Sequence, residues 1–288
     1  MPMNFPRKIL ACLLCCAFLT SCGGSFVYDR LDWLIPWYLD SYVDLSREQR
    51  QSLREQLSPL LQQHRKEELG RYLQVLDGIE AELQAPLKPA QVEAWIGELG
   101  EAAGRIEQTM LQAAVEFGAS ISDAQMQEFL DNLYSRQEEL EEELLARSDE
   151  EYAKEHTGHL KDLLQRVIGR LDRSQEQRLA QAASAMQRYD SVWLEDRRLW
   201  LDQLQVLLQR KPGWQVAVLE AYGDREKARS ETYREIVAHN KSVVAAALAD
   251  VLNNRSEKQE SNTTSEFADL RSMLQKLMEK PQDQAGSS

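Results

Sequence analysis

The stretch VEAWIGELGEAAGRIEQTMLQAAVEF (92–117) decides the fold. Its apolar residues fall at Val92, Ile96, Leu99, Ala103, Ile106, Met110, Ala113 and Phe117, in steps of three and four that keep to one face of an α-helix. Gly97, Gly100 and Gly104 interleave with that stripe as small residues that ease close packing. A second run of the same period joins Leu179, Ala182, Met186, Tyr189, Trp193, Trp200, Leu204 and Leu207. No segment alternates in the manner of a strand, so the chain reads as helix nearly throughout.

One short signature marks the helix starts: LSREQ (45–49), LKPAQ (87–91), ISDAQ (121–125) and LDRSQ (171–175). In three of them a Ser or Asp caps the helix while the Gln three residues on reaches back to the cap's own N–H; in the other, Pro89 sits in the first turn. Helices are predicted over 46–84, 88–118, 122–169, 172–210 and 213–252, with bends expected at Pro59 or near Ser148. Such lengths describe an all-α fold, an elongated antiparallel bundle of long helices occupying 28–252. The polar run NNRSEKQESNTTSEF (253–267) reads as a loose linker, followed by a short amphipathic helix over 268–280 and a disordered PQDQAGSS end, so 253–288 is set apart from the bundle. In both halves a capped helix is followed by Lys-Pro: Leu45 to Lys88-Pro89, and Leu171 to Lys211-Pro212. The offsets of 126 and 123 residues describe either a duplicated helical unit or a coincidence of helix starts.

The N-terminus carries an address. Residues 1–21 show a basic start (Arg7, Lys8) and the eleven-residue apolar run ILACLLCCAFL (9–19), then LTSC, the pattern of a secreted precursor and too short a run to span a bilayer. Small residues directly before Cys22 resemble a bacterial lipobox, which implies acylation, palmitate included, of Cys22 as the first mature residue, with 22–27 as the linker to the lipid anchor. Cys12, Cys15 and Cys16 lie in the removed run, which leaves no disulfide, catalytic thiol or Cys-ligated metal site. Gly23 stands where Asp retains enterobacterial lipoproteins in the inner membrane; that resemblance implies the periplasmic side of the outer membrane.

Removal of 21 residues from 288 leaves 267, and with Arg7 and Lys8 gone 32 basic face 47 acidic residues, a net charge of −15. A surface so acidic repels nucleic acid and anionic headgroups. The expected partners are therefore the membrane, through the lipid on Cys22, and an envelope protein, with no nucleic acid.

Chemical motifs are sparse. No Gly-rich phosphate loop, HExxH, CxxC or GxSxG occurs, so neither an enzyme nor a cofactor is expected. In EEYAKEHTGHL (150–160), Glu151, Glu155 and His159 fall at four-residue steps with His156 beside them: either a carboxylate and imidazole metal face or a solvated helix face. The run RQEELEEELLARSDEE (136–151) reads as a charged outer face around Leu140 and Leu144. More informative are polar residues that interrupt apolar stripes. His64 and Glu68 fall inward between Leu60 and Val75, Arg197 between Trp193 and Trp200, and Glu226 and Arg229 between Tyr222 and Tyr233. Burying such a charge alone costs several kcal/mol, so these groups are expected either to pair across the bundle or to line a partner or ligand cleft together with Trp33, Trp37 and Tyr38. One histidine beside one carboxylate names no acid–base site.

Two resemblances bear on role. YDRLDWLIPWYLDSYVDLSREQ (28–49), continued by His64-Arg65 and Glu68-Leu69, resembles an uncharacterised proteobacterial lipoprotein family of unknown function over roughly 22–75, which implies the envelope address and no activity. The helix starts, LSREQ most nearly, are similar to the LTxxQ motif of Spy-type periplasmic chaperones, which implies client holding as the alternative to a scaffold or interaction module. A ligand- or metal-binding protein with a polar cleft is the third reading. Within 28–44, Asp29, Asp32, Asp40 and Asp44 accompany the aromatics with Arg30 alone against them, which disfavours lipid headgroups. Leu31, Leu34, Ile35, Trp37 and Tyr38 are instead expected to dock on the bundle as a lid or first core element, with Pro36 breaking the segment in two.

Overall fold

The computed structural model describes residues 28–279, which form ten helices and no strand. The signal segment, Cys22, the 22–27 linker and the PQDQAGSS end lie outside the described residues. The helices are α1 (Leu31–Leu39), α2 (Arg47–Glu82), α3 (Pro89–Gly118), α4 (Asp123–Ala146), α5 (Asp149–Ile168), α6 (Arg173–Ala185), α7 (Asp190–Leu207), α8 (Trp214–Ala228), α9 (Glu231–Asn253) and α10 (Glu257–Glu279).

The start signature works as its chemistry requires. Ser46, Ser122 and Asp172 each accept the N–H of the residue three on, while Gln49, Gln125 and Gln175 each accept the N–H of their own cap. Gln91 accepts the Lys88 N–H at 2.9 Å, with Pro89 in the first turn. These glutamines then use their amide groups between helices. Gln49 and Gln125 exchange bonds of 2.9 and 2.8 Å, and Gln125 donates to the Asp44 carbonyl at 2.7 Å. Gln175 and Gln259 exchange bonds of 3.0 and 2.8 Å, and Gln259 donates to the Arg170 carbonyl at 2.9 Å. Asp44 and Arg170 are separated by the same 126 residues as Leu45 and Leu171.

Packing follows that equivalence. Helix α2 lies between α3 and α10, α3 lies against α8 and α9, α9 and α8 meet α6 and α7, and these meet α5 and α4; α5 closes the ring on α10. Exchanging α2 for α6–α7, α3 for α8–α9 and α10 for α4–α5 returns the same set of neighbours. At 36 residues α2 is about 54 Å long, so the bundle is elongated. The α2–α3 hairpin links two cores. One gathers Leu83, Leu87, Val92, Trp95, Leu164 and Phe267 with the last turns of α9, and the other gathers Val43, Leu45, Leu53, Leu57, Phe117 and Met126.

Four expectations are corrected. Residues 253–267 are no loose linker: Ser256 and Gln259 form a further capping box, and α10 runs from Glu257 through the run read as polar, burying Gln259, Thr263 and Phe267. The predicted 172–210 and 213–252 helices are each broken. At Met186 the backbone turns extended, and the Asn240 side chain replaces the lost helical partners by bonding both the N–H and the carbonyl of Gln187 at 2.8 and 2.7 Å. At Arg229 the chain turns extended and Ser230 caps α9. Helix α2 continues unbroken past Pro59, which lies on its exposed face; the break near Ser148 is real, with its own capping box to Glu151. Pro36 lies inside α1 without breaking it, its ring buried against the bundle.

Candidate functional site

The aromatic segment is fastened to the bundle along one side only. The Tyr28 hydroxyl meets His64 Nδ1 at 2.8 Å, Asp29 pairs with Arg65 at 3.1 Å, and Ile35, Leu39 and buried Pro36 pack inward. Beyond α1, Asn132 donates to the Tyr42 carbonyl at 2.8 Å and Arg50 pairs with Asp40 at 3.0 Å. Trp33, Trp37 and Tyr38 face outward, 47%, 61% and 61% exposed, with the two indoles parallel at 6.4 Å. The expectation that Trp37 and Tyr38 form a lid on the core is therefore corrected. Helix α1 packs through the side bearing Ile35, Pro36 and Leu39, which leaves Trp33, Trp37 and Tyr38 on the side away from the bundle.

The inward polar residues are spent in pairs. His64 sits between two tyrosines, its Nε2 3.0 Å from the Tyr72 hydroxyl; burial lowers its pKa, and Glu68 opposes that shift. Glu68 is buried and takes Arg105 of α3 at 2.9 Å and Arg71 of its own helix. Arg197 of α7 donates to Gln137 of α4, which in turn donates to the Leu194 carbonyl at 3.0 Å. Glu226 pairs with Arg229 at 3.3 Å, and the Arg229 guanidinium lies 4.6 Å from the centre of the Tyr233 ring. These groups occupy three seams: α2 with α3, α4 with α7, and the α8–α9 corner. The structure brings His64 and Glu68 together but does not gather them with Arg197, Glu226, Arg229 and the α1 aromatics into one cleft.

The helix face proposed for a metal is taken apart by its own partners. Glu151 closes the Ser148 cap, Glu155 pairs with Arg147, and His156 turns inward to 1% exposure. Among the described residues no group of three His, Cys, Asp or Glu side chains is arranged to hold a metal ion.

What the sequence did not signal is the cluster around His156. Asp190, also 1% exposed, receives Arg147 at 3.1 and 2.7 Å and Arg188 at 2.8 Å. Both guanidinium groups approach the Tyr152 ring, at 5.0 and 6.0 Å, and Tyr152, Tyr189 and Tyr233 join α5, α7 and α9 through T-shaped, edge-to-face contacts. Burial first, then His159 and Arg147, pushes the His156 pKa down to about 4. Arg147 and Asp190 are 43 residues apart, and only the Tyr189 stripe pointed to this corner. A separate groove of about 200 Å³ lies between α2 and α10, lined by Glu80, Leu83, Gln84, Arg255, Thr263 and Phe267. Its Arg255 already donates to the Leu83 carbonyl at 3.1 Å and to the Leu252 carbonyl.

A family model described as a family of unknown function (DUF6279) matches residues 41–234, more than half of the chain. Neither the curated proteins nor the solved structures offer a match.

Proposed function

The chain belongs to this family of unknown function, and from its geometry we propose that it is a lipid-anchored, non-enzymatic helical interaction module of the cell envelope. The observation that carries the proposal is the commitment of the five inward polar residues to pairs along the helix seams. His64, Glu68, Arg197, Glu226 and Arg229 hold helix seams and do not converge on a space where a substrate would sit. The lipobox resemblance at Cys22 and the short distance from there to α1 support the anchor, and Gly23 favours the outer membrane. No described helix is long and apolar enough to cross a membrane.

A partner surface is offered by α7 and α8. Leu199 and Val206, two turns apart on α7, are 62% and 60% exposed, and Val216 on the adjoining α8 is 58% exposed. Photocrosslinking in living cells from a photoreactive residue at Leu199 tests the role. One dominant envelope-protein adduct is expected. A broad smear of unfolded secreted proteins would instead favour the Spy-like, client-holding reading, and adducts only within the chain would sink both.

A further inference from the structure

The outward side of α1 presents Arg30, Trp33 and Trp37 at helical spacing, with Tyr38 on its flank, while the bundle occupies the other side. The four aspartates that argue against a lipid surface are mostly turned away from that stripe. Asp29 is bound to Arg65, Asp40 pairs with Arg50, Asp32 is half-buried, and Asp44 is exposed but lies beyond the end of α1. What α1 itself turns outward is basic and aromatic, the composition of side chains that settle at the headgroup level of a bilayer, where an indole keeps its ring in apolar surroundings and its N–H wet. Five residues separate Cys22 from Tyr28, a leash of at most about 20 Å.

We propose that the Arg30–Trp33–Trp37–Tyr38 face of α1 lies in the headgroup region of the membrane and fixes the orientation of the bundle on it. The inference rests on the anchored-lipoprotein reading and deepens it. The lipid on Cys22 supplies attachment, and α1 supplies a second contact that fixes orientation. Because α1 is riveted through Tyr28–His64, Asp29–Arg65 and the Ile35–Leu39 contacts, its seat on the bilayer turns the side of the bundle that carries the N-terminal half of α2 toward the membrane. The net charge of −15 of the chain from Cys22 onward restricts this seat to zwitterionic lipid.

The test uses the full acylated chain reconstituted in phosphatidylcholine vesicles, with the acyl chains either plain or brominated near the headgroup. Bromine quenches only indoles in near contact with it, and subtraction of a Trp33→Phe/Trp37→Phe variant isolates the two outward indoles from the other four. Their emission is expected to fall at least twofold in brominated vesicles and to resist iodide added to the water. Unchanged emission with Cys22 acylated by mass spectrometry overturns the inference and leaves the anchored reading intact. An unmodified Cys22 overturns the reading as well. Absent quenching together with Trp37 photocrosslinks to a protein in cells would assign the face to a protein partner and likewise overturn the inference.

Discussion

Asp190 is almost fully buried and carries three hydrogen bonds from Arg147 and Arg188, so its charge is compensated only while both arginines stay in place. Replacing one member of a buried ion cluster leaves the others desolvated and unpaired, which costs about 3 to 5 kcal/mol. Asp190→Asn keeps the shape and removes the charge, and urea titration is expected to show a loss of that size. For Arg198→Ala, whose partner Glu141 and own side chain are both partly exposed, the expected loss is under about 1 kcal/mol. Equal losses in the two variants would refute the assignment of Asp190 as a keystone. His156 adds a pH dependence with a definite sign. Folded, it takes up a proton only near pH 4, against about 6.5 when unfolded, because burial penalises the charged ring and His159 and Arg147 add to that. Its contribution is full above about pH 6.5 and is lost as pH falls toward 4, to a depth on the order of 3 kcal/mol. His156→Phe should flatten that decline in stability measured between pH 7 and pH 4; a decline of unchanged depth would contradict it. At this scale the sequence was legible in part. His64 and Glu68 were placed inward by their position in an apolar stripe, whereas Asp190 and Arg147 lie at helix ends, where periodicity carries no information about which way a side chain turns.

Helix starts were readable because a capping box is a local device, complete within four residues. The same device at Ser256–Gln259 was overlooked, since no apolar stripe follows it until Phe267. The buried positions of α10 in that interval are Gln259 and Thr263, four residues apart, which satisfy their polar atoms in place: Thr263 donates to the Gln259 carbonyl at 2.8 Å and Gln259 bonds Gln175. A helix can thus be buried along a polar stripe that hydropathy does not register. Because Gln175 and Gln259 exchange both amide bonds out of water, their effects are coupled. Gln175→Ala and Gln259→Ala should each cost about 1 to 3 kcal/mol, and the double variant should cost clearly less than the sum. Additive losses would show that the two caps act alone. The end of α5 sets a second requirement. Gly169 has φ of +78°, and a Cβ there would lie 2.3 Å from Asn262 Nδ2, the group that bonds the Ile168 carbonyl. Gly169→Ala therefore meets both backbone strain and a clash with α10, and a loss of about 1 to 3 kcal/mol is expected by thermal denaturation.

Across the whole molecule the helices close a ring, and α10 is the member that completes it, joining α2 on one side to α5 on the other. Without α10 the main core loses Phe267, Leu69 loses Leu274 and Leu277, and the buried amide of Gln175 loses its partner. The long α2–α3 hairpin would not compensate, because its apolar contacts concentrate at its two ends and its middle is held by the Glu68–Arg105 bridge. Reading 28–252 as the complete helical domain leaves this closing element out, and the reason is physical: a ring of helices needs its last member for burial, while local sequence reports only whether a segment turns as a helix. A chain ending at Asn254 is therefore expected to keep much of its far-ultraviolet helical signal, lose near-ultraviolet dichroism, bind a hydrophobic dye and melt without a sharp transition. Within the full chain, Leu277→Ala, at a position with 0% exposure, should cost about 2 to 5 kcal/mol. A shortened chain that melts cooperatively within a few degrees of the intact one would make α10 an appendage, and the ring would have to be redrawn as a bundle complete at α9.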